Sequence, residues 1–387
     1  MFPRRYFFEQ ACGVIAASGR SIPIFTDKHL AYNWTDALWM YERAKELQLP
    51  FMAGSSAPLF WRNPVSARAA APFCVSCFDL TDAAAQALEL QPESPLQEAL
   101  CMSFGSLEGY GYHGLGEQPP LADDLSRRAA CSDRWHCVAE CLQTFVEKRK
   151  GGECGVSAVT MLEGDDVWNS LYGRPGEHCR PLATIHFPEG CALRWWSLCC
   201  VAGASEAGRD WKWPTALIEA AITHGQQTYV GFKKYSEEDE AAVAPGRPED
   251  WDYTSGAITK ENPRGMVSEG GPHAFLIEYS DGFCATLLHL TGYVRDWQIA
   301  LRVDGEILTS VLSTAANPHP SFSLLGLNIQ QMFLTGTPTY PVERTLLVTG
   351  ALDSLMESHA AGHTRVPTPH LSEVGYTPMD PALTIRG

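Results

Sequence analysis

Three consecutive residues, Asp27-Lys28-His29, close the apolar run Ile22-Pro23-Ile24-Phe25 and put an acid, a lysine and a histidine side by side. In an open α/β sheet ligands bind just beyond the carboxyl ends of the strands. A lysine there can stabilise developing negative charge on a ligand oxygen, whereas the same lysine on a surface loop is merely solvated. On these residues alone both readings stand. A second group of reactive types surrounds His136, with Cys131, Cys137 and Cys141 close by and Asp133 three residues before it. The spacing does not complete a tetrahedral metal set, so small core cysteines on one helical face are expected, and no metal. Cys74 and Cys77 form a C-x-x-C without a second pair at zinc-ribbon distance. Gly109-Tyr110-Gly111-Tyr112-His113-Gly114 has a glycine rhythm but follows no strand-to-helix turn, and is read as a loop.

The elements that must position Lys28 follow from periodicity. Residues 4–18 read as a helix stopped by Gly19, and residues 22–25 as a strand. Asn33 or Thr35 can cap a helix that runs to Leu47 with Trp34, Leu38, Tyr41, Ala44 and Leu47 on one stripe. Residues 50–54 form a second short strand. The order helix, strand, helix, strand is that of a parallel, doubly wound sheet, yet two parallel strands are too few to be stable alone. No G-x-G-x-x-G or G-x-x-x-x-G-K-[ST] precedes them.

Beyond an Ala- and Pro-rich stretch at 58–92, strands are expected at 96–104 and 156–162, with a Gly- and Pro-rich loop at 105–122 and a helix at 133–150 between them. Residues 173–210 are rich in Gly, Cys and Trp, residues 213–223 read as a short helix, and 237–252 as an acidic excursion. Strands at 274–279, 283–290, 297–303 and 306–312, joined by Ser280-Asp281-Gly282 and Asp304-Gly305, predict an antiparallel meander. Helices at 322–334 and 342–359 follow, and the tail after Pro367 reads as loosely ordered. The fold class is therefore α/β followed by α+β: a partial Rossmann-like parallel sheet over 1–57, a larger domain with a mostly antiparallel sheet over 58–370, and a tail over 371–387.

Composition bounds the partners. The chain has 387 residues, 45% hydrophobic and 19% charged, with a formal net charge of -16. That charge argues against nucleic acid and against an anionic membrane surface. No run approaches the ~18 apolar residues of a membrane span, and Glu9 and Gln10 spoil any signal-like segment after Arg4 and Arg5. Thirteen scattered cysteines, an odd number, fit reduced thiols in a cytoplasmic protein.

The chain resembles the Gfo/Idh/MocA family, the glucose–fructose oxidoreductase and inositol dehydrogenase type, as a divergent branch. The strand that closes the dinucleotide site in that family ends in Glu-Lys-Pro, where Asp27-Lys28-His29 stands here, followed by a helix and by Phe51-Met52-Ala53-Gly54. The family's helix carrying Asp-x-x-x-His is matched by His136, with Ser132 four residues before it and Asp133 three before. Gly151-Gly152-Glu153-Cys154-Gly155-Val156 and Tyr340-Pro341-Val342-Glu343-Arg344-Thr345 also resemble segments of this branch. The resemblance runs from Arg4 to Leu371, with 173–210 and 237–252 as insertions.

It implies an oxidoreductase using NAD or NADP on a small-molecule substrate, a sugar, polyol or related hydroxy compound. Lys28, His136 and Asp133 would be catalytic, Asp27, Lys28 and His29 would meet the cofactor, and Trp61, Arg62, Tyr110, Tyr112 and His113 would line the substrate pocket. It also implies a homo-oligomer built on an exposed sheet face. The family's first strands and glycine-rich loop have no counterpart, so on this resemblance the chain starts partway through the nucleotide domain. The alternative is a non-catalytic homologue or truncated form that has lost dinucleotide binding and serves assembly or regulation. A third reading, a hydrolase using His136, Cys137 and Cys141, requires stoichiometric zinc.

Overall fold

A computed structural model describes residues 4–62, 88–103, 137–172, 208, 210–232, 272–290, 297–313 and 320–378. The amino-terminal part consists of α1 (Arg4–Ser18), β1 (Ile24–Asp27), α2 (Trp34–Glu46) and β2 (Phe51–Gly54). Gly19 ends α1 in the left-handed region at φ 64°, and the Asn33 side chain caps α2 by accepting the Asp36 N–H. β1 sits two residues later than its apolar run suggests. It pairs in parallel with β2, Ile24 with Phe51 through Asp27 with Gly54.

This pair survives because both of its faces are covered. Ile24, Phe51 and Ala53 pack with α1 and α2. Phe25 and Met52 pack with Tyr340 and with Ile329 and Met332 of α6 (Pro320–Thr335), a helix from far along the chain. The layering a parallel sheet demands is thus completed from the carboxyl-terminal half.

The larger sheet has eight strands: β3 (Trp61–Arg62), β4 (Leu96–Ser103), β5 (Val156–Glu163), β6 (His273–Tyr279), β7 (Cys284–His289), β8 (Trp297–Val303), β9 (Glu306–Ser313) and β10 (Val366–Pro367). Their order is β10-β5-β6-β7-β4-β8-β9-β3. The expected meander is corrected here. β4 inserts between β7 and β8, parallel to the first and antiparallel to the second. Both Asp-Gly turns form, with Asp304 and Gly305 at φ 50° and 81° joining β8 to β9.

Strand alternation sends Phe275, Ile277 and Leu287 to one face and Ala274, Leu276 and Leu288 to the other. The first face packs on the helical residues 137–146 (α3) and on α7 (Val342–Ala360). The second is covered by α4 (Asp165–Tyr172) and α5 (Thr215–Phe232), which bring Val167, Trp168, Leu217, Ile218 and Ala221. An exposed sheet face, as the family resemblance implied, is therefore not what is found. α5 also runs beyond the expected 213–223, since Pro214 lies just before its first turn and nothing interrupts it afterwards. Among the described residues, no helix is long and apolar enough to cross a membrane.

The described part of the stretch after Pro367, residues 368–378, is packed rather than loose. The Thr368 hydroxyl donates to the Val156 carbonyl at 2.7 Å, Leu371 is fully buried in the main core, and Tyr376 bridges to Glu153. Its residues are polar and proline-flanked, yet Leu371 fills a slot against Gly350 and Gly155, where a Cβ would collide with it. Leu371→Ala is expected to lower stability by about 2–5 kcal/mol, the range for a buried leucine, read as a lower urea midpoint with unchanged m.

Candidate functional site

The carboxyl ends of β1 and β2 form a rim. Lys28, directly after β1, is held at φ 60°, and its N–H donates to the Gly54 carbonyl at 2.9 Å. Left-handed backbone is uncommon for a residue with a Cβ and needs support from its surroundings. Arg4 supplies some of it from the start of α1, its guanidinium donating to the carbonyls of Asp27 and His29. Asp27 is exposed and Lys28 half-buried, whereas the His29 imidazole is wholly buried, its ring 4.9 Å from that of Tyr32.

Beneath this rim lies a carboxylate. Glu140 of α3 is buried and accepts both the Ser55 N–H and the Ser55 hydroxyl on Oε2, each at 2.7 Å. The Thr345 hydroxyl of α7 lies 3.2 Å from Oε1 and 2.9 Å from the Ala53 carbonyl. Gly54 sits at φ 132° with no room for a Cβ, because Glu140 Oε1 fills the place. Burial pushes the Glu140 carboxyl up to about 7, against the pull of the Ser55 N–H and hydroxyl, the Arg344 charge and Thr345.

Lys28 faces the same end of α3. Burial pushes the Cys137 thiol up to about 12, and a hydrogen bond with Ser55 and the positive charge of Lys28 oppose that rise. Cys137 is the first described residue of α3. His136 itself, Asp133, Tyr110, Tyr112 and His113 lie outside the described residues. The backbone of Trp61 and Arg62 forms β3, the sheet's edge, paired with Ser313 and Leu312.

A second acid on α3's side of the core ties the site down. Glu147, just beyond α3, receives Arg344 of α7 through Nε at 2.8 Å and Nη2 at 2.5 Å, and the Tyr376 hydroxyl at 2.7 Å. Burial disfavours the Arg344 charge, but Glu147 outweighs it and keeps the guanidinium protonated. Sequence reasoning gave no site role to Glu140, Glu147, Ser55, Thr345 or Arg344. The available signal was the spacing of Glu140 and Glu147, seven apart and thus on one helical stripe, in a segment that also carries Val138, Leu142, Phe145 and Val146.

No family model matches the chain, and no curated protein matches it either. Similar solved structures include myo-inositol 2-dehydrogenase from Lactobacillus plantarum, at 9% identity and TM-score 0.44, spanning 95% of this chain and 78% of that one. GenD2 from gentamicin A biosynthesis in complex with NAD has 11% identity and TM-score 0.43, over 93% and 75%. Levoglucosan dehydrogenase in complex with NADH and levoglucosan has 11% identity and TM-score 0.42, over 95% and 79%. At such overlaps the functional reading rests on the chain's own residues.

The Glu140 carboxyl gives a sign for the pH dependence of stability. Its folded value of about 7 lies above the ordinary 4.5, so the folded chain holds the proton more tightly. Its contribution is full below 4.5 and is lost as pH rises through about 7. Glu140→Gln is therefore expected to flatten the fall in stability across this window by on the order of 3 kcal/mol, measured as urea midpoints over a pH series.

Proposed function

We propose that the chain is an NAD(P)-dependent oxidoreductase that moves a hydride between the nicotinamide and a carbinol carbon of a sugar, polyol or related hydroxy compound. The observation that supports this reading is Lys28, held in a left-handed turn at the carboxyl rim of a parallel strand pair and facing Cys137 at the start of α3. The rim fits the nicotinamide end of such a cofactor, since Asp27 is exposed, Lys28 is half-buried and Gly54 offers no side chain. A glycine-rich strand-to-helix turn for the pyrophosphate is not among the described residues.

A bound nicotinamide supplies the hydride acceptor. The chain's task is the proton and the charge. Lys28 binds the substrate oxygen and stabilises negative charge as it develops there. His136 accepts the hydroxyl proton, a task its side chain suits near neutral pH, and Asp133 orients it. Asp27 and the backbone of His29 meet the cofactor, while Trp61, Arg62, Tyr112 and His113 shape the substrate pocket. Glu140 holds Ser55 and Gly54, and through the Gly54 carbonyl it fixes the backbone of Lys28. A homo-oligomer belongs to this reading, assembled on surfaces other than the helix-covered sheet face.

A second reading, a non-catalytic homologue serving assembly, is favoured by one observation: among the described residues β1 has a single strand partner, β2. Fluorescence titration of the full chain with NADH and NADPH separates the two. Saturable binding is expected, and its failure with both nucleotides would favour the second reading. With binding in place, Lys28→Met is expected to lower turnover across a panel of sugars and polyols by about 100-fold or more while nucleotide binding persists, since the lost interaction belongs to the transition state.

A further inference from the structure

A line of polar side chains crosses one end of the large sheet in strict register. Ser103 pairs with His289, His289 with His273, and His273 with Glu163, across the neighbouring strands β4, β7, β6 and β5. All four point to the face that packs on α3 and α7, where the next residues inward, Cys101, Leu287, Phe275 and Met161, are apolar. Ser103, His289 and His273 are each 0% exposed, and buried polar groups in such a setting need partners. They have them. Ser103 Oγ lies 2.9 Å from His289 Nδ1, the His289 and His273 ring centroids are 6.1 Å apart, and His273 Nε2 lies 3.2 Å from Glu163 Oε1.

The line continues outward, where Glu163 Oε2 is 2.7 Å from Nε2 of His359, whose side chain is 44% exposed at the end of α7. His363 and Asp166 flank that exit, the His363 ring 5.4 Å from that of His359 and its Nε2 4.0 Å from Asp166 Oδ2.

The inner end of the line lies toward the same end of α3 as the candidate site. α3 runs antiparallel to β4: the Ser94 N–H donates to the Lys148 carbonyl at one end, and Cys141 lies against Cys101 nearer the other. Ser103, two residues past Cys101, therefore sits toward the end of α3 that carries Cys137 and faces Lys28.

We propose that Ser103, His289, His273, Glu163 and His359 form a proton relay from the sheet interior toward the Cys137 end of α3 to solvent at the end of α7. Ser103 Oγ takes a proton from the site as it gives its own to His289 Nδ1. His289 releases its Nε2 proton to His273 Nδ1 through one bridging water, since ring centroids 6.1 Å apart are too far for a direct hydrogen bond. His273 Nε2 passes its proton to Glu163 Oε1. The Glu163 carboxyl, protonated on Oε1, then turns so that this O–H faces His359 and hands the proton to Nε2 of that ring in its Nδ1–H tautomer, and His359 loses its Nδ1 proton to water. Each hop breaks one N–H or O–H bond and forms another, so no co-reactant is needed. Glu163 stays ionised at rest: burial raises its carboxyl, but the hydrogen bonds with His273 and His359 outweigh that and hold it at about 2. The outward direction rests on the oxidoreductase reading, whereas the coupling along the line does not.

The test is nitrogen-15 NMR of the histidine rings in the full chain, for the native protein, Glu163→Gln and His273→Phe, each checked for a native backbone spectrum. A relay requires that Glu163→Gln shift the ring-nitrogen resonances of His289, two strands away, as well as those of His273 and His359. His273→Phe should cut His289 off from external pH while its bond to Ser103 remains. If Glu163→Gln moves only His273 and His359, these residues merely latch α7 to the sheet and the relay is overturned. Should Glu163→Gln unfold the chain, His273→Phe alone decides, because an undiminished response of His289 to pH would equally overturn it. Turnover supplies a separate reading. A larger solvent deuterium effect in Glu163→Gln supports outward flow, while absence of turnover on any sugar or polyol counts against the oxidoreductase and leaves the coupling to the NMR result.

Discussion

The stripe of acids on and just beyond α3 is the constraint on which the rest depends. Glu140 and Glu147 carry carboxyl groups into a core where an unpaired charge is severely unfavourable, so every element around them must present a donor. β2 answers with Ser55, α7 with Thr345 and Arg344, and the carboxyl-terminal segment with Tyr376. These are directional contacts, and apolar packing alone would not fix the same register. They bind the small parallel sheet, the large sheet's helical layer and the end of the chain into one arrangement. Breaking a single partner strands a charge, which is why such networks specify geometry more than they add stability.

Much of the fold was legible because it is local. The stop at Gly19, the Asn33 cap, the two Asp-Gly turns and the apolar stripes of α2 and α7 each arise from chemistry within a few residues. What was not legible is nonlocal. Nothing within residues 96–103 says that this strand will insert between β7 and β8, because the choice is made by neighbours almost 200 residues away. The packing of Leu371 likewise depends on Gly155 and Gly350, and the layer over Phe25 and Met52 comes from α6.

The site divides the same way. The strand-end placement of Lys28 could be read from its own sequence, since an apolar run that ends in charged residues marks a strand end. Glu140 could not, because a glutamate amid apolar helical positions reads as a solvent-facing residue until the helix is known to be buried all round. The histidines of β6 and β7 were hidden for a related reason: His273 and His289 are 16 residues apart, and only the antiparallel register sets them side by side.

The large sheet's second face bears on how copies of the chain could meet. A bare antiparallel sheet offers a broad apolar surface for self-association, but here Leu217, Ile218 and Ala221 of α5, with Val167 and Trp168 of α4, already fill it. Self-association through that face would require these helices to leave, exposing their own apolar residues along with those of the strands. Each fully buried aliphatic side chain is worth about 1.5–3 kcal/mol, so the displaced helices would forfeit most of what a new interface could return. The covering helices therefore fix the sheet as an internal layer. On the opposite face, the side of α3 and α7, lies the Ser103 to Glu163 line.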